Sequence, residues 1–411
     1  MPRRSRKSRS RKNGLLAGVR VVDASRVLAG PYLAMLLGDL GADVIKVERP
    51  GTGDPTRSWG PPWVGEGANR VSAYFVSANR NKRSVALDLK QPAARAAFEQ
   101  LVAGADVLVE NFLPAEWRRL GFRSSRFTRR HPRLVQCTVT GYGAAGPEAD
   151  RLAYDLILQA ESGLMSLTGF ADGEPVRVGV AVVDVLSALY GLAGVLAALR
   201  QRDETGRGSR VEVAMVDAGM SFLSYAAQSW LADGRQPPRL GSAHPNLVPY
   251  QAFRATDGWF VAGVGSQEQW RRFCTAIERP ELADDPRFAT SEGRVRHRDD
   301  LVALLTPIFA ARSVAHWDAV LRAHRVPGGP PVTVGEAVER ARRRGQVMDL
   351  PAGAYGNLPT VAAPFLFDGQ RAAPSAPPPA LGQHTDEVLR EAGLTAPGEG
   401  PTTIRNLAVH R

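Results

Sequence analysis

The sequence predicts an α/β protein of two domains, a large one built on a parallel, doubly wound sheet and a smaller α+β one. Three observations carry this. Between residues 19 and 215, short β-branched runs alternate with segments of helical periodicity, the pattern of strands joined by crossover helices. From residue 250 the pattern changes to a hairpin followed by helices, behind the stretch GRQPPRLGSAHPNLVPY, which has the composition of a linker. The 411 residues, 44% of them hydrophobic, also exceed what one typical core organises.

Residues 19–23 read as a buried strand, a helix opens at Pro31 and runs to residue 40, and residues 43–47 form a second strand. Proline suits a first helical turn, where an N–H has no intrahelical partner. This βαβ start, with Glu48 ending its second strand, looks superficially like a dinucleotide fold. Its loop, ASRVLAGP, holds only Gly30 and cannot bring backbone close to a pyrophosphate, which disfavours NAD. Further strands are expected at 84–88, 106–110 and 133–140, with a helix over 92–102. The spacing in AYDLILQAESGLMSLTG predicts a packed helix, where Tyr154, Asp155 and Gln159 have a simple reading as core or cap residues. TGRGSR turns into a last strand at 211–215, and residues 216–235 read as one long helix.

In the second domain, residues 250–253 and 259–264 alternate around Asp257-Gly258, a hairpin signal. Helices are expected at 267–278, 298–311, 314–323 and 334–343, then a returning strand at 362–367. Thr385, with Asp386 and Glu387 behind it, is the expected cap of a final short helix. Loops leaving the carboxyl ends of parallel strands line the ligand crevice, which places Arg49 at a site; Lys82 and Arg83 precede their strand and read as surface charges.

The most informative stretch is RVGVAVVDVLSALYG, residues 177–191, where an apolar run delivers one carboxylate, Asp184, to the start of an apolar helix. Structurally, that carboxylate reads as a helix N-cap. Chemically, it reads as a nucleophile held rigidly and partly desolvated before an activated carbonyl. Local pattern alone favours the cap.

Composition excludes several other functions. The net charge of +11 is concentrated in an amino-terminal tail where Arg3, Arg4, Arg6, Lys7, Arg9, Arg11 and Lys12 meet no acid; the remainder is nearly balanced, with 45 basic against 41 acidic residues. That tail is expected to be disordered and solvated, and nucleic-acid binding by it is the lesser expectation. No uninterrupted apolar span reaches the roughly 18–20 residues of a membrane helix. Cys137 and Cys274 lack CxxC or Cys/His spacing and the seven histidines are scattered, so neither a disulfide framework nor a metal site is expected, and a cytoplasmic location is the simplest. HExxH, GxSxG and P-loop motifs are absent.

The motifs LLAGVRVVDASRVLAGPYLAMLLGDLGADVIKVERPGTGD, NRNKRSVALDLK, ADVLVENF, TVTGYGAAGP, AYDLILQAESGLMSLTG, GVAVVDVL, TGRGSRVEVAMVDA, DPRF and LGQHTDEVL, in this order, resemble the class III CoA-transferases, a superfamily that includes formyl-CoA transferase, carnitine CoA-transferase and α-methylacyl-CoA racemase. The resemblance runs from about residue 15 to 394. It implies a Rossmann-like large domain formed by both ends of the chain, a smaller α+β domain, and two subunits interlocked as a homodimer. The corresponding divisions are a basic tail at 1–14, the large domain at 15–235, a linker at 236–249, the small domain at 250–331, a linker helix at 332–361, and a segment returning to the large domain at 362–411. The family's nucleophilic aspartate falls on Asp184, implying CoA transfer through an aspartyl-CoA thioester with acyl-CoA as substrate and no resident cofactor. Its CoA contacts fall on Leu28, Ala29, Arg49, Leu87, Lys90, Asn111, Phe112, Arg119, Tyr154 and Asp155. Succinyl-CoA as donor and a small carboxylic or dicarboxylic acid as acceptor follow from the same resemblance. The glycine run that closes over the formyl-CoA transferase site is reduced here to Gly263 and Gly265, which argues against formyl-CoA/oxalate chemistry. A racemase is the alternative, but its histidine position holds Tyr154, and a phenol is a poor general base at neutral pH.

Overall fold

Consecutive strand residues such as Val21 and Val22 are both fully buried, one in each of two apolar layers, so the sheet has no solvent face and takes helices on both sides. The computed structural model describes residues 14–67, 70–372 and 375–394; the expected basic tail up to residue 13 and the stretch 395–411 lie outside the described residues. Six parallel strands form the sheet: β1 (Arg20–Asp23), β2 (Asp43–Glu48), β3 (Lys82–Ala86), β4 (Val107–Glu110), β5 (Val135–Thr140) and β6 (Arg210–Ala214), in the order β3-β2-β1-β4-β5-β6. The order reverses between β1 and β4. In an open parallel sheet, that reversal opens a crevice beyond the carboxyl ends of those two strands.

One layer packs α1 (Ala29–Asp39) and α4 (Val182–Thr205) on the sheet through Leu33, Leu37, Val195 and Leu199. The other packs α2 (Pro92–Ala103) and α8 (Thr385–Glu391) through Phe98, Val388 and Leu389. The Phe98 ring touches Trp117, Phe122 and Phe127, and its truncation to alanine costs about 3–5 kcal/mol. Helix α4 is long and apolar enough to cross a membrane by length and composition, but half of its most apolar stretch is buried inside the protein, and its first turns carry buried Asp184 and Ser187.

The chain divides into two compact units. The first takes the described residues through Leu164, Val178–Ala227, and those from Ala341 onward, so segments from both ends of the chain share it. The second takes Met165–Arg177 and Gln228–Arg340, with the antiparallel pair β7 (Tyr250–Arg254) and β8 (Trp259–Gly263), and α5 (Gln267–Ala276), α6 (Arg298–Ala310) and α7 (Val314–Ala323) around a core of Phe253, Phe260, Phe273 and Phe309.

Several sequence expectations are corrected. Strand β3 starts two residues early, at Lys82, whose ammonium is buried rather than on the surface; Arg83 is engaged by Asp43, Glu387 and Glu391. The long helix expected over 216–235 is two, Met215–Phe222 and Tyr225–Asp233, broken where Ser224 takes a left-handed φ of 48°. The returning strand expected at 362–367 is preceded by a hairpin, β9 (Val347–Gly353) with β10 (Gly356–Val361), and only Leu366–Phe367 of it is extended pairing. Thr385 does not cap α8; its hydroxyl donates to the Gly382 carbonyl and accepts the Ala86 N–H.

Candidate active site

Asp184 is not a helix N-cap. Helix α4 begins at Val182 with Ala181 at the cap position and no side-chain cap of its own, so Asp184 stands in the first turn, 8% exposed. The apolar run before it is loop through residue 181. Two of the orphan N–H groups of α4 go to the preceding helix, α3 (Asp155–Glu161): Asp155 Oδ1 accepts the Val183 N–H at 2.8 Å and the Asp184 N–H at 3.4 Å. An acceptor at a helix start satisfies donors that have no intrahelical partner. Fully buried Gln159, one turn along α3, fixes the arrangement: Nε2 donates to Asp155 Oδ2 at 2.6 Å and to the Val180 carbonyl at 3.2 Å, and Oε1 accepts the Val178 N–H at 2.8 Å. The side chains of AYDLILQ that sequence alone reads as core or cap therefore build the loop that presents Asp184.

The Asp184 side chain meets the other half of the site at the β1–α1 loop. Its Oδ1 accepts the Ala29 N–H at 3.2 Å. Burial, and then the nearby Asp155 charge, push its carboxyl up to about 7, against the lowering pull of the Ala29 N–H. A carboxylate so desolvated is under-stabilised and correspondingly more reactive. Tyr74 faces the same charges: burial first, then Asp184, Asp155 and Asp54, hold its hydroxyl up to about 12, so it stays protonated at neutral pH. Its ring meets that of Trp59 edge-on at 5.3 Å.

A buried ionic cluster underlies the loop. Lys82 Nζ donates to Asp23 Oδ2 at 2.9 Å, to the Pro31 carbonyl at 2.8 Å and to Asn79 at 2.9 Å; Lys46 Nζ donates to Asp54 at 2.9 Å and to the Ser25 carbonyl at 3.0 Å. Burial lowers Lys82 to about 8 against the opposing pull of Asp23. Burial works to raise Asp23 and Asp54, but the ammonium groups bring both below their ordinary values. Gly30 serves this loop by close packing, since a Cβ there would stand 2.3 Å from that of Ser25. Glu48, placed like the ribose-binding acid of a dinucleotide fold, instead accepts from Arg57 Nε at 2.8 Å and Nη2 at 2.7 Å and from the Ser84 hydroxyl.

Four of the ten expected CoA contacts, Arg49, Leu87, Lys90 and Phe112, line one cleft of about 280 Å³ beside this loop, together with Arg26 and Asp54. The Arg26 guanidinium lies 4.5 Å over the Phe112 ring, and Leu87 and Phe112 supply the buried apolar wall while Arg49 and Lys90 are exposed. Asn111 does not line the cleft: its amide accepts the Arg26 N–H at 2.9 Å and donates to the Arg26 carbonyl at 2.7 Å, tying the loops after β1 and β4 across the reversal of strand order. Leu28 caps α1 and is buried; Arg119 is exposed at the end of the helix Pro114–Arg119. Tyr154 is 65% exposed, and Asp155 is turned to α4 as described. Arg151 is engaged by Glu148 and Glu161. A larger cavity, about 620 Å³, lies at the amino ends of β2 and β3 among Asp39, Asp43, Arg83 and His384, and none of the expected site residues lines it. Sequence reasoning missed Val27, Lys46, Asp54, Trp59 and Tyr74; an acid in the PGTGD turn directly after β2 is the one signal that pointed there.

Fold and site together define an α/β enzyme that carries a desolvated carboxylate beside a mixed apolar and cationic crevice at the switch point of its sheet. The chain belongs to CoA-transferase family III, whose model matches residues 16–385. It is an acyl-CoA:carboxylate CoA-transferase, with CoA esters as its substrates. Among its relatives, the succinyl-CoA:glutarate CoA-transferase of Mus musculus is 39% identical over 378 residues, covering 92% of this chain and 86% of that protein. The succinate–glutarate CoA-transferase of Agrobacterium fabrum is 37% identical over 380 residues, covering 92% and 95%. The crystal structure of a CAIB/BAIF family protein from Brucella suis superposes with a TM-score of 0.81 at 37% identity, covering 93% of this chain and all of that one.

Proposed function

We propose that Asp184 is the nucleophile of a CoA transfer from succinyl-CoA to a small dicarboxylic acid such as glutarate. The observation that carries the first part is the desolvated Asp184 carboxylate held by the Ala29 N–H. The second part is supported by relatives named for succinyl-CoA and glutarate at 37–39% identity.

The Asp184 oxygen not held by Ala29 attacks the thioester carbonyl, and the C–S bond breaks to give a mixed anhydride and CoA thiolate. The thiolate attacks the Asp184 carbonyl of that anhydride, releasing the donor acid as its carboxylate and leaving an aspartyl-CoA thioester. The acceptor carboxylate then attacks the aspartyl carbonyl, forming a second anhydride and thiolate. Attack of that thiolate on the acceptor carbonyl gives the new CoA ester and returns Asp184 as carboxylate. In the steps at the aspartyl carbonyl, the oxygen bonded to Ala29 becomes the oxyanion, where a preorganised N–H stabilises developing charge. Buried Leu87 and Phe112 suit the adenine, and Arg49, Lys90 and Arg119 the phosphates. A homodimer in the cytoplasm is the setting this reading adopts from the resemblance, with the segment returning from residue 362 completing the large domain.

The test is intact-protein mass after mixing with succinyl-CoA and other acyl-CoAs, followed by hydroxylamine trapping and peptide mapping. An adduct on Asp184, absent in Asp184→Asn, is expected. No adduct with any donor, together with α-proton exchange in deuterated water, would instead establish a racemase.

A further inference from the structure

We propose that Asp54, seated on buried Lys46, is a positioning residue: it holds Val27 in the left-handed backbone region and so keeps the Ala29 N–H aimed at Asp184. This rests on the reading of Asp184 as the reacting carboxylate. Val27 has φ of 73°, a region that a β-branched side chain disfavours by about 1–3 kcal/mol, so the surroundings must impose it.

They do so from both ends of one peptide. The Arg26 carbonyl accepts Asn111 Nδ2 at 2.7 Å, and the Val27 N–H of the same peptide points at the Asp54 carboxylate, 3.3 and 3.4 Å from its two oxygens. Asp54 is itself immobilised. It accepts the Thr56 N–H at 2.9 Å and the Thr56 hydroxyl at 2.7 Å, its own N–H donates to Glu48 at 3.0 Å, and Lys46 Nζ lies 2.9 Å away. Lys46 is fully buried and also holds the Ser25 carbonyl, so one ammonium fixes the loop two residues before Val27 and the carboxylate that receives Val27. Two residues after Val27, the Ala29 N–H reaches Asp184 at 3.2 Å. Were Val27 to relax to negative φ, the following peptides would turn and that N–H would leave the carboxylate.

The test uses the full chain with Asp54→Asn, the double variant Asp54→Asn/Val27→Gly, and Val27→Pro. Two readouts are followed: kcat for CoA transfer, and the titration midpoint of the Asp184 carboxyl by carbon-13 NMR, assigned by its loss in Asp184→Asn. In Asp54→Asn, which puts an amide NH2 in place of one of the two oxygens facing the Val27 N–H and takes the charge from the other, kcat is expected to fall about tenfold, with KM for acyl-CoA within about twofold. The Asp184 midpoint rises, because the Ala29 N–H lowers it. Glycine adopts positive φ without a clamp, so the double variant recovers both readouts. Should Asp54→Asn leave Lys46 unpaired and fail to fold, Val27→Pro decides the matter, since it leaves the Lys46–Asp54 pair whole while removing the N–H and forcing negative φ; it is expected to raise the midpoint. A folded Asp54→Asn or Val27→Pro protein with the wild-type midpoint and kcat overturns the positioning role, as does a double variant with no recovery. Absence of an Asp184 adduct in the wild type sinks the nucleophile reading separately, and the titration still decides on Asp54.

Discussion

Asp155 and Asp184 lie on successive helices of the first unit, and the carboxylate of the former receives the backbone N–H of the latter, with Val183 N–H 2.8 Å and Asp184 N–H 3.4 Å from Asp155 Oδ1. One acid thus caps the helix that carries the other, while its charge pushes the other's carboxyl up. Asp155→Asn keeps the Oδ1 acceptor and removes the charge, while turning an amide NH2 toward the Gln159 Nε2 donor. Its expected effect is a lower Asp184 pKa, so the acidic limb of the kcat profile, which reports the reactive carboxylate, moves to lower pH. Asp155→Ala loses the cap as well, at roughly 1 kcal/mol of stability. An acidic limb unmoved by Asp155→Asn would show that the two charges do not interact.

The raised Asp184 carboxyl also makes a statement about stability. With a folded value of about 7 against an ordinary 3.8, raised first by burial, the folded state binds more protons than the unfolded state between those values. Stability from this group is therefore full below pH 4 and declines as pH rises to about 7, on the order of a few kcal/mol. Asp184→Asn removes that term. It is expected to unfold at a higher temperature than the wild type at pH 8, with the difference vanishing towards pH 4. Equal unfolding temperatures at pH 8 would mean that the carboxylate is solvated in the folded protein.

Much of this was legible in the sequence, and the pattern of what was not is physical. Strands such as Val107–Glu110 announce themselves because both faces are buried and the run is continuously apolar. Asp184 stood out because a lone acid interrupts such a run. What stayed hidden is what depends on contacts between distant residues. Lys82 reads as a surface charge until β2 and β1 bring Asp23 within 2.9 Å. Asp155 reads as an ordinary helix residue until α4 places two orphan N–H groups above it. Val27, a residue type that predicts extended backbone, takes φ of 73° only because Asn111 and Asp54, 84 and 27 positions away, hold the peptide before it. Local propensity carries no signal for a conformation that tertiary contacts impose.

Asn111 offers a separate test of the switch-point crevice. Its amide makes both hydrogen bonds to the Arg26 backbone, so Asn111→Asp replaces the donor to the Arg26 carbonyl with a repelling oxygen. Loss of one half-buried hydrogen bond and an unfavourable contact cost about 1–3 kcal/mol. The loop carrying Arg26 is then expected to shift, taking the guanidinium off the Phe112 ring, and KM for acyl-CoA should rise about tenfold or more. Titration calorimetry with CoA alone checks this without turnover, and unchanged CoA affinity would remove the crevice from the binding site.

Arg49 and Lys90 separate charge from packing in the same crevice. Both are exposed, both line it, and among the described residues neither forms an ion pair, so their substitution disturbs little of the fold. Phosphate groups bound by such exposed cations are screened over a Debye length of about 10 Å at 0.1 M salt. Arg49→Ala and Lys90→Ala are therefore expected to raise KM for acyl-CoA about three- to tenfold at low ionic strength, with kcat kept, and the deficit should shrink as salt is added. Leu87→Ala, in the apolar wall, weakens binding by lost burial, and its deficit is expected to persist at high salt. If the two cation variants bind acyl-CoA like the wild type at low salt, the phosphates lie elsewhere and Arg119 becomes the residue to substitute next.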